Sequence, residues 1–428
     1  MKGSFPMNTG ILDGKSHPME GACMNPARAA YCRTFQKAFR AALPALPYRE
    51  PEILTDMERI SDVCSEKGYR GVLVVTDPGI AELGLMEPML RSFEDAGIEA
   101  VVYADTVANP TIANVEAARE LYLDNRCQAI VGFGGGSAMD CAKAVGARIA
   151  KPRQKIPQMR GLLKILVPIP PLFAVPTTAG TGSEVTVAAV ITDSETHYKY
   201  PINDFCLIPK YAVHDARVTF SLPKHITSTT GMDALTHAVE AYIGHSTSAY
   251  TREKSETAVK LIHDHLLRAY EDGHDEEARA KMLYASYCAG IAFTQSYVGY
   301  VHGVAHSLGG QYGIPHGLAN AIILPHFLRA YGKACAPQLA RLARICGIGP
   351  QATDTIAAAN FIDWIDDMNR RMDIPRYVEG IKEADIPLMA AHADAESNPL
   401  YPVPVEMDAR ELAGMYYVVA GKRMGFGA

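Results

Sequence analysis

The chain has 428 residues, 48% of them hydrophobic and 21% charged, with a formal net charge of −6. This is ordinary globular composition, long enough for two domains and a core that needs no covalent staple. The mild acidity argues against charge-driven binding to nucleic acid or anionic membrane, and no apolar run reaches membrane-spanning length. Nine cysteines, scattered and without a C-x-x-C pair, fit reduced thiols in a cytoplasmic protein.

In chain order, residues 1–26 are rich in Gly, Met, Asn and Pro and show no period, which predicts a disordered extension without signal-peptide character. An amphipathic helix is predicted over 31–46, ended by Pro44. From residue 70 short apolar runs alternate with helical stretches. "GVLVVTD" (71–77), "EAVVYAD" (99–105) and "AIVGFG" (129–134) read as buried strands. "AELGLMEPMLRSFEDAG", "TIANVEAARELYLDN" and "SAMDCAKAVGARIA" read as the helices between them, Pro88 being a candidate kink. Such alternation builds βαβ units and a mostly parallel sheet. After a polar connection (151–170), strands are predicted at 171–178, 187–193 and 206–215. Beyond residue 222 the pattern is helical, with helices predicted at 228–244, 250–271, 275–296, 300–308, 317–331, 335–346, 352–371, 378–391 and 407–423. The predicted layout is therefore an α/β domain over 27–221 and an all-helical domain over 222–428.

Two glycine-rich loops follow predicted strands. "GFGGGSAMD" (132–140) opens a helix near Ser137, whose first N–H groups and positive dipole end suit a pyrophosphate. A tight turn with no ligand is the plainer alternative, and the loop is not G-x-G-x-x-G. "VPTTAGTGSEVT" (175–186) crowds hydroxyl donors around two glycines. Asp77, at a strand end, can accept from a ribose 2′-hydroxyl and repel a 2′-phosphate, or simply cap the helix that follows.

In "GMDALTHAVEAY" (231–242), Asp233 and His237 stand at i and i+4, on one helix face. In isolation, a capping Asp and a surface His explain that pair. "VHGVAHSLGGQYGIPHGLANAIILPH" (301–326) adds His302 and His306, again at i and i+4. Gly309, Gly310, Gly313 and Pro315 break that helix, which can return His316 towards His302. One carboxylate and three imidazoles suit Fe(II), Zn(II), Co(II) or Ni(II). The spacing leaves His306 open as an alternative nitrogen. His326, after Pro325, reads as a packed or capping histidine.

With "GGGSAMD", "PTTAGTGSE", "GMDALTHAVEAY" and "HGVAHSLGGQYGIPHGLANAIILPH" in this order, the chain resembles the iron-containing (group III) alcohol dehydrogenase family over roughly residues 46–425. The resemblance implies the fold shared by dehydroquinate synthase and these dehydrogenases. It implies NAD-linked exchange of hydride between an alcohol and an aldehyde or ketone, with a metal polarising the substrate oxygen. It implies a divalent metal, Fe(II) foremost and Zn(II) next, on Asp233, His237, His302 and His316. His306 is then a catalytic residue beside the nicotinamide and not a ligand. For the cofactor it points to Asp77, Asn109, Gly135, Gly136, Ser137, Asp140, Thr177, Thr178, Thr181 and Lys199. Phe293, Val298 and the loop from Asn398 to Tyr401 are candidate pocket walls. Ala108 and Ala188 depart from common family residues, the second leaving substrate choice open. The expected partners are a small alcohol or aldehyde and further copies of the chain, as a homodimer or higher oligomer, with no nucleic acid or membrane. A glycerol-dehydrogenase-like or dehydroquinate-synthase-like enzyme, or a non-catalytic scaffold, is the alternative.

Overall fold

The computed structural model describes residues 24–43, 46–195 and 198–422. The extension expected over 1–26 therefore lies outside the described residues up to position 23. Its last three residues are ordered: Met24 is buried, and Asn25 caps a helix that Pro26 opens.

Six strands form one parallel sheet: β1 (Glu52–Leu54), β2 (Gly71–Val75), β3 (Glu99–Tyr103), β4 (Ala129–Gly134), β6 (Leu172–Pro176) and β9 (Tyr211–Val213), in the order β1-β9-β6-β4-β2-β3. Three more, β5 (Gly161–Leu162), β7 (Ala188–Asp193) and β8 (Tyr198–Asn203), form a small mixed sheet in the order β5-β8-β7. Every residue of β2 and β4 is buried. Their near-continuous apolar sequence is what a sheet covered on both faces requires. Alternate residues serve opposite faces. Leu73, Val75 and Ile130 pack with Val115, Ala118 and Val145, from helices α5 (Ile112–Asp124) and α6 (Gly136–Ala150). Val72, Val74, Val131 and Phe133 pack instead with Ile60 of α2 (Arg59–Lys67) and with Met89 and Phe93 of α4 (Glu87–Asp95).

From β2 the chain runs outward to β3 and then returns to the other side of β2 as β4. The strand order thus reverses between β2 and β4, and the loops after those two strands carry Asp77 and the Gly134–Gly136 run. Ligands bind parallel α/β sheets at such a switch point.

Helices follow: α7 (Lys224–Ile243), α8 (Ala249–Glu271), α9 (Glu276–Ser296), α10 (Tyr300–Tyr312), α11 (His316–Tyr331), α12 (Ala336–Ile345), α13 (Asp354–Arg371), α14 (Ile386–Ser397) and α15 (Ala409–Val419). Among the described residues no strand follows β9. The chain falls into two contact units. One contains the chain from Ala45 to Ala234 and Leu261–Thr294; the other contains Leu235–Lys260 and the chain from Gln295, with α1 (Pro26–Ala42). The last strand, β9, ends at Val213 and α7 begins at Lys224, while contacts divide the chain within the helices. α7, α8 and α9 each run through a division point. Helix α1 joins the helical elements: Arg28 pairs with Asp394 at 2.7 Å, and Gln36 Nε2 donates to the Tyr401 carbonyl at 2.9 Å.

Several elements depart from the sequence-based expectation. The helix expected across Pro88 is two, α3 (Pro78–Glu82) and α4, because Gly84 takes a left-handed φ of 66° and Pro88 sits in the first turn of α4. The strand expected over 206–215 shortens to β9, preceded by a 3-10 turn at Phe205–Leu207. α2, β1, β5 and β8 are additional to the predicted set. No helix among the described residues is long and apolar enough to cross a membrane, and every described cysteine is a free thiol.

Candidate active site

Helix α7 carries Asp233 and His237 one turn apart, both buried. Helix α10 carries His302, also buried, and runs through Gly309 and Gly310 to Tyr312. The break falls later than the sequence suggests, at Gly313 with φ of 67°, and Pro315 then caps α11, whose first residue is His316. One donor atom from each of Asp233, His237, His302 and His316 lies within 4.8 Å of the others. The imidazoles of His237 and His302 stack at 4.5 Å between centroids, and those of His302 and His316 lie 5.5 Å apart.

The set passes a chemical test for a divalent cation. Three imidazoles and a carboxylate are ordinary ligands for such an ion, provided the imidazoles are neutral. Burial, and then the neighbouring imidazoles, hold His302 well below the ordinary histidine range. Behind it stands Glu240, which the sequence reading missed. Its Oε2 accepts from His302 Nδ1 at 2.6 Å and from Gly299 N at 2.8 Å, while Oε1 accepts from Val301 N at 2.9 Å. Burial pushes this carboxyl up to about 7, against the pull of those donors. One side chain therefore satisfies two orphan N–H groups at the start of α10 and fixes which nitrogen His302 presents. A carboxylate behind a ligating imidazole is a recurrent device of metal sites. The sequence did carry a signal: Glu240 is the lone acid in the apolar stretch "ALTHAVEAY".

His306 is exposed and lies one turn beyond His302. Its ring stacks on that of His316 at 5.1 Å, with 18° between the planes. Its Nδ1 lies 2.6 Å from Glu396 Oε1. His326 is a packed histidine inside α11, with Nε2 3.0 Å from the Arg376 carbonyl.

The predicted cofactor residues gather at the switch point. Gly135 is the N-cap of α6 and Gly136 its first residue. A Cβ on Gly134 would come within 3.3 Å of Asp77 Oδ2, and one on Gly136 within 3.0 Å of the Thr181 methyl. Asp77 also caps α3, its Oδ1 accepting from Ile80 N at 3.0 Å. Thr177 N donates to the Gly134 carbonyl at 3.0 Å, and a Cβ on Gly135 would stand 3.8 Å from Thr178 Oγ1. Asn109, in a left-handed conformation (φ 58°), donates its N–H to Ser137 Oγ at 3.2 Å; its Oδ1 accepts from Lys199 Nζ at 2.6 Å. Asp140 accepts from Ser183 Oγ at 2.7 Å and from Val190 N at 3.0 Å. That ties α6 to the second glycine loop and makes Asp140 a brace of the site. Lys143, a buried cation that sequence reasoning missed, donates to Ser183 Oγ, Thr186 Oγ1 and the carbonyls of Thr186 and Ala188. Burial lowers it to about 8. Its signal was a lysine one turn after Asp140 in a largely apolar helix.

Comparison with known proteins gives a consistent picture. Residues 55–216 match the family profile described as iron-containing alcohol dehydrogenase, and 227–417 match that of the Fe-containing alcohol dehydrogenase family, C-terminal. Alcohol dehydrogenase 4 of Saccharomyces cerevisiae is 39% identical over 343 residues, covering 79% of this chain and 88% of that protein. The NAD-dependent methanol dehydrogenase of Bacillus methanolicus is 36% identical over 329 residues, covering 76% and 86%. A crystal structure of 1,3-propanediol oxidoreductase superposes with a TM-score of 0.83 at 33% identity, covering 87% of this chain and 99% of that one.

Proposed function

The chain belongs to the iron-containing alcohol dehydrogenase family, and from that premise we propose that Asp233, His237, His302 and His316 hold one divalent cation, Fe(II) foremost and Zn(II) next. The enzyme is a metal-dependent oxidoreductase that exchanges hydride between NAD(H) and an alcohol–aldehyde or alcohol–ketone pair. The observation that carries the ligand assignment is the convergence of four donor atoms within 4.8 Å. A cation bound there supplies Lewis-acid polarisation of the substrate oxygen.

The protein's own residues supply the rest. Gly135, Gly136 and Ser137, at the first turn of α6, offer N–H donors to the cofactor's pyrophosphate. Thr177, Thr178 and Thr181 line the adjoining loop, and Lys199 and Asn109 close the edge beside Ser137. Asp77 caps α3 with one oxygen and sets the other beside Gly134, where its charge favours NAD over a 2′-phosphorylated cofactor. His306 exchanges the proton of the alcohol hydroxyl, since an imidazole nitrogen can both accept and donate a proton. The free thiols accord with a reducing, cytosolic setting. Association into a homodimer or larger assembly belongs to the same proposal and is checked by sedimentation.

The test is His302→Ala, reconstituted anaerobically with Fe(II) beside the wild type. Bound metal should fall to background, and NADH oxidation with a panel of aldehydes should cease, while the circular dichroism spectrum is kept. Undiminished metal in the variant refutes the ligand set.

A further inference from the structure

His306 and Glu396 are 90 residues apart in sequence, yet His306 Nδ1 and Glu396 Oε1 stand 2.6 Å apart. The same Oε1 accepts from the Tyr401 hydroxyl at 2.7 Å. Glu396 is the penultimate residue of α14. Tyr401 is buried, and its backbone is held on both sides: its N–H donates to the Ser397 carbonyl at 2.7 Å, and its carbonyl accepts from Gln36 Nε2 of α1 at 2.9 Å. An exposed ion pair by itself means little. This one differs in having a second, buried donor fixed from behind on the same oxygen.

We propose that Glu396 is a positioning residue for His306, holding the Nδ1–H of that imidazole with Tyr401 as its second donor and so committing Nε2 to proton exchange with the substrate. The proposal rests on the assignment of His306 made above. An imidazole can carry its neutral proton on either nitrogen. A carboxylate at Nδ1 selects the tautomer with the Nε2 lone pair outward, and it stabilises the imidazolium formed when Nε2 accepts a proton. In alcohol oxidation, the hydroxyl proton passes to Nε2 and its bonding pair stays on oxygen. Hydride leaves carbon for the nicotinamide of NAD+, so the alcohol is oxidised and NAD+ reduced. Nε2 then returns the proton to solvent, which reaches the His306 side chain at 42% exposure. Tyr401 keeps Glu396 from swinging away between turnovers.

The experiment compares wild type, Glu396→Gln, Glu396→Asp and Tyr401→Phe, each loaded with Co(II), by visible ligand-field spectrum, kcat, KM and solvent deuterium isotope effect. Glu396→Gln should keep the cobalt spectrum and the KM for NAD. Its kcat should fall about 10–100-fold, with a larger solvent isotope effect as proton transfer becomes limiting. Glu396→Asp should recover part of the loss, and Tyr401→Phe should lower kcat a few-fold with the same isotope signature. Wild-type kcat and isotope effect in Glu396→Gln overturn the proposal, as does an altered cobalt spectrum, which would put this pair at the metal. If Glu396→Gln does not fold, Tyr401→Phe decides, and an unchanged isotope effect there overturns it. A wild-type chain that takes up no cobalt overturns the metal assignment and this proposal together.

Discussion

Glu184 and His214 face each other in the α/β unit, with Glu184 Oε1 4.0 Å from His214 Nε2 and both side chains buried. Burial pushes Glu184 up to about 7 and His214 down to about 4. Their pH dependences therefore oppose. For the histidine, the unfolded chain takes up its proton first as pH falls below about 6.5, so its contribution to stability is present above that pH and is lost on the way to 4. For the glutamate, the native state takes up its proton first. Its contribution is present below about 4.5 and is lost as pH rises through 7. In Glu184→Gln the histidine term stands alone, and the urea midpoint should fall between pH 7 and pH 5 relative to wild type. In His214→Gln it should rise over the same interval. Each change is worth at most about 3 kcal/mol, at 1.36 kcal/mol per pH unit. Shifts of the same sign in both variants would show that the two groups do not titrate as their burial requires.

At the scale of elements, Gly182 and Gly290 make one close backbone-to-backbone crossing in the α/β unit. Gly182 opens a 3-10 turn with φ of 60°, and a Cβ there would lie 2.8 Å from Gly290 Cα. Gly290 lies within α9, and a Cβ there would meet Val185 Cγ2 at 2.5 Å and Gly182 Cα at 3.1 Å. Neither backbone can yield without moving its element. Gly290→Ala should cost about 1–3 kcal/mol by overpacking, despite alanine's better helix propensity. Chemical denaturation measures it, and a stabilised variant would mean the crossing is loose. Sequence showed the glycine of the turn but not that of α9, because a close approach is a property of two segments at once. The same distinction separates what was legible elsewhere. β2 and β4 announced themselves as continuous apolar runs bounded by turn residues. Two short spacings, Asp233–His237 and His302–His306, gave the site its outline because helix geometry alone makes i and i+4 neighbours. Gly309 and Gly310 misled, since each costs a helix only about 1 kcal/mol, which packing elsewhere along α10 offsets. β8 and α2 passed unseen, the first half polar and the second only nine residues long. Glu396 left no trace at all, because nothing local marks a contact made across 90 residues.

For the molecule as a whole, the proposed ligand set would turn metal binding into folding free energy. α7 delivers Asp233 and His237, α10 delivers His302 and α11 delivers His316, and an unfolded chain holds none of these together. A cation that binds only the native state stabilises it by RT ln(1 + [L]/Kd), about 1.4 kcal/mol for each tenfold of free metal above Kd. The thermal midpoint should therefore climb with the logarithm of added Zn(II) and fall on chelation. Three variants separate the causes. His302→Ala removes a proposed ligand, so its midpoint should no longer respond to metal. Glu240→Gln keeps an oxygen acceptor for the start of α10 but removes the charge behind His302, so the climb should begin at about 10–100-fold higher metal. Gly290→Ala touches no ligand, and its midpoint should be lowered by the same amount with and without metal, since distant and independent effects add. A midpoint for His302→Ala that rises with Zn(II) as steeply as the wild type would mean that the cation stabilises the fold from somewhere other than these four residues.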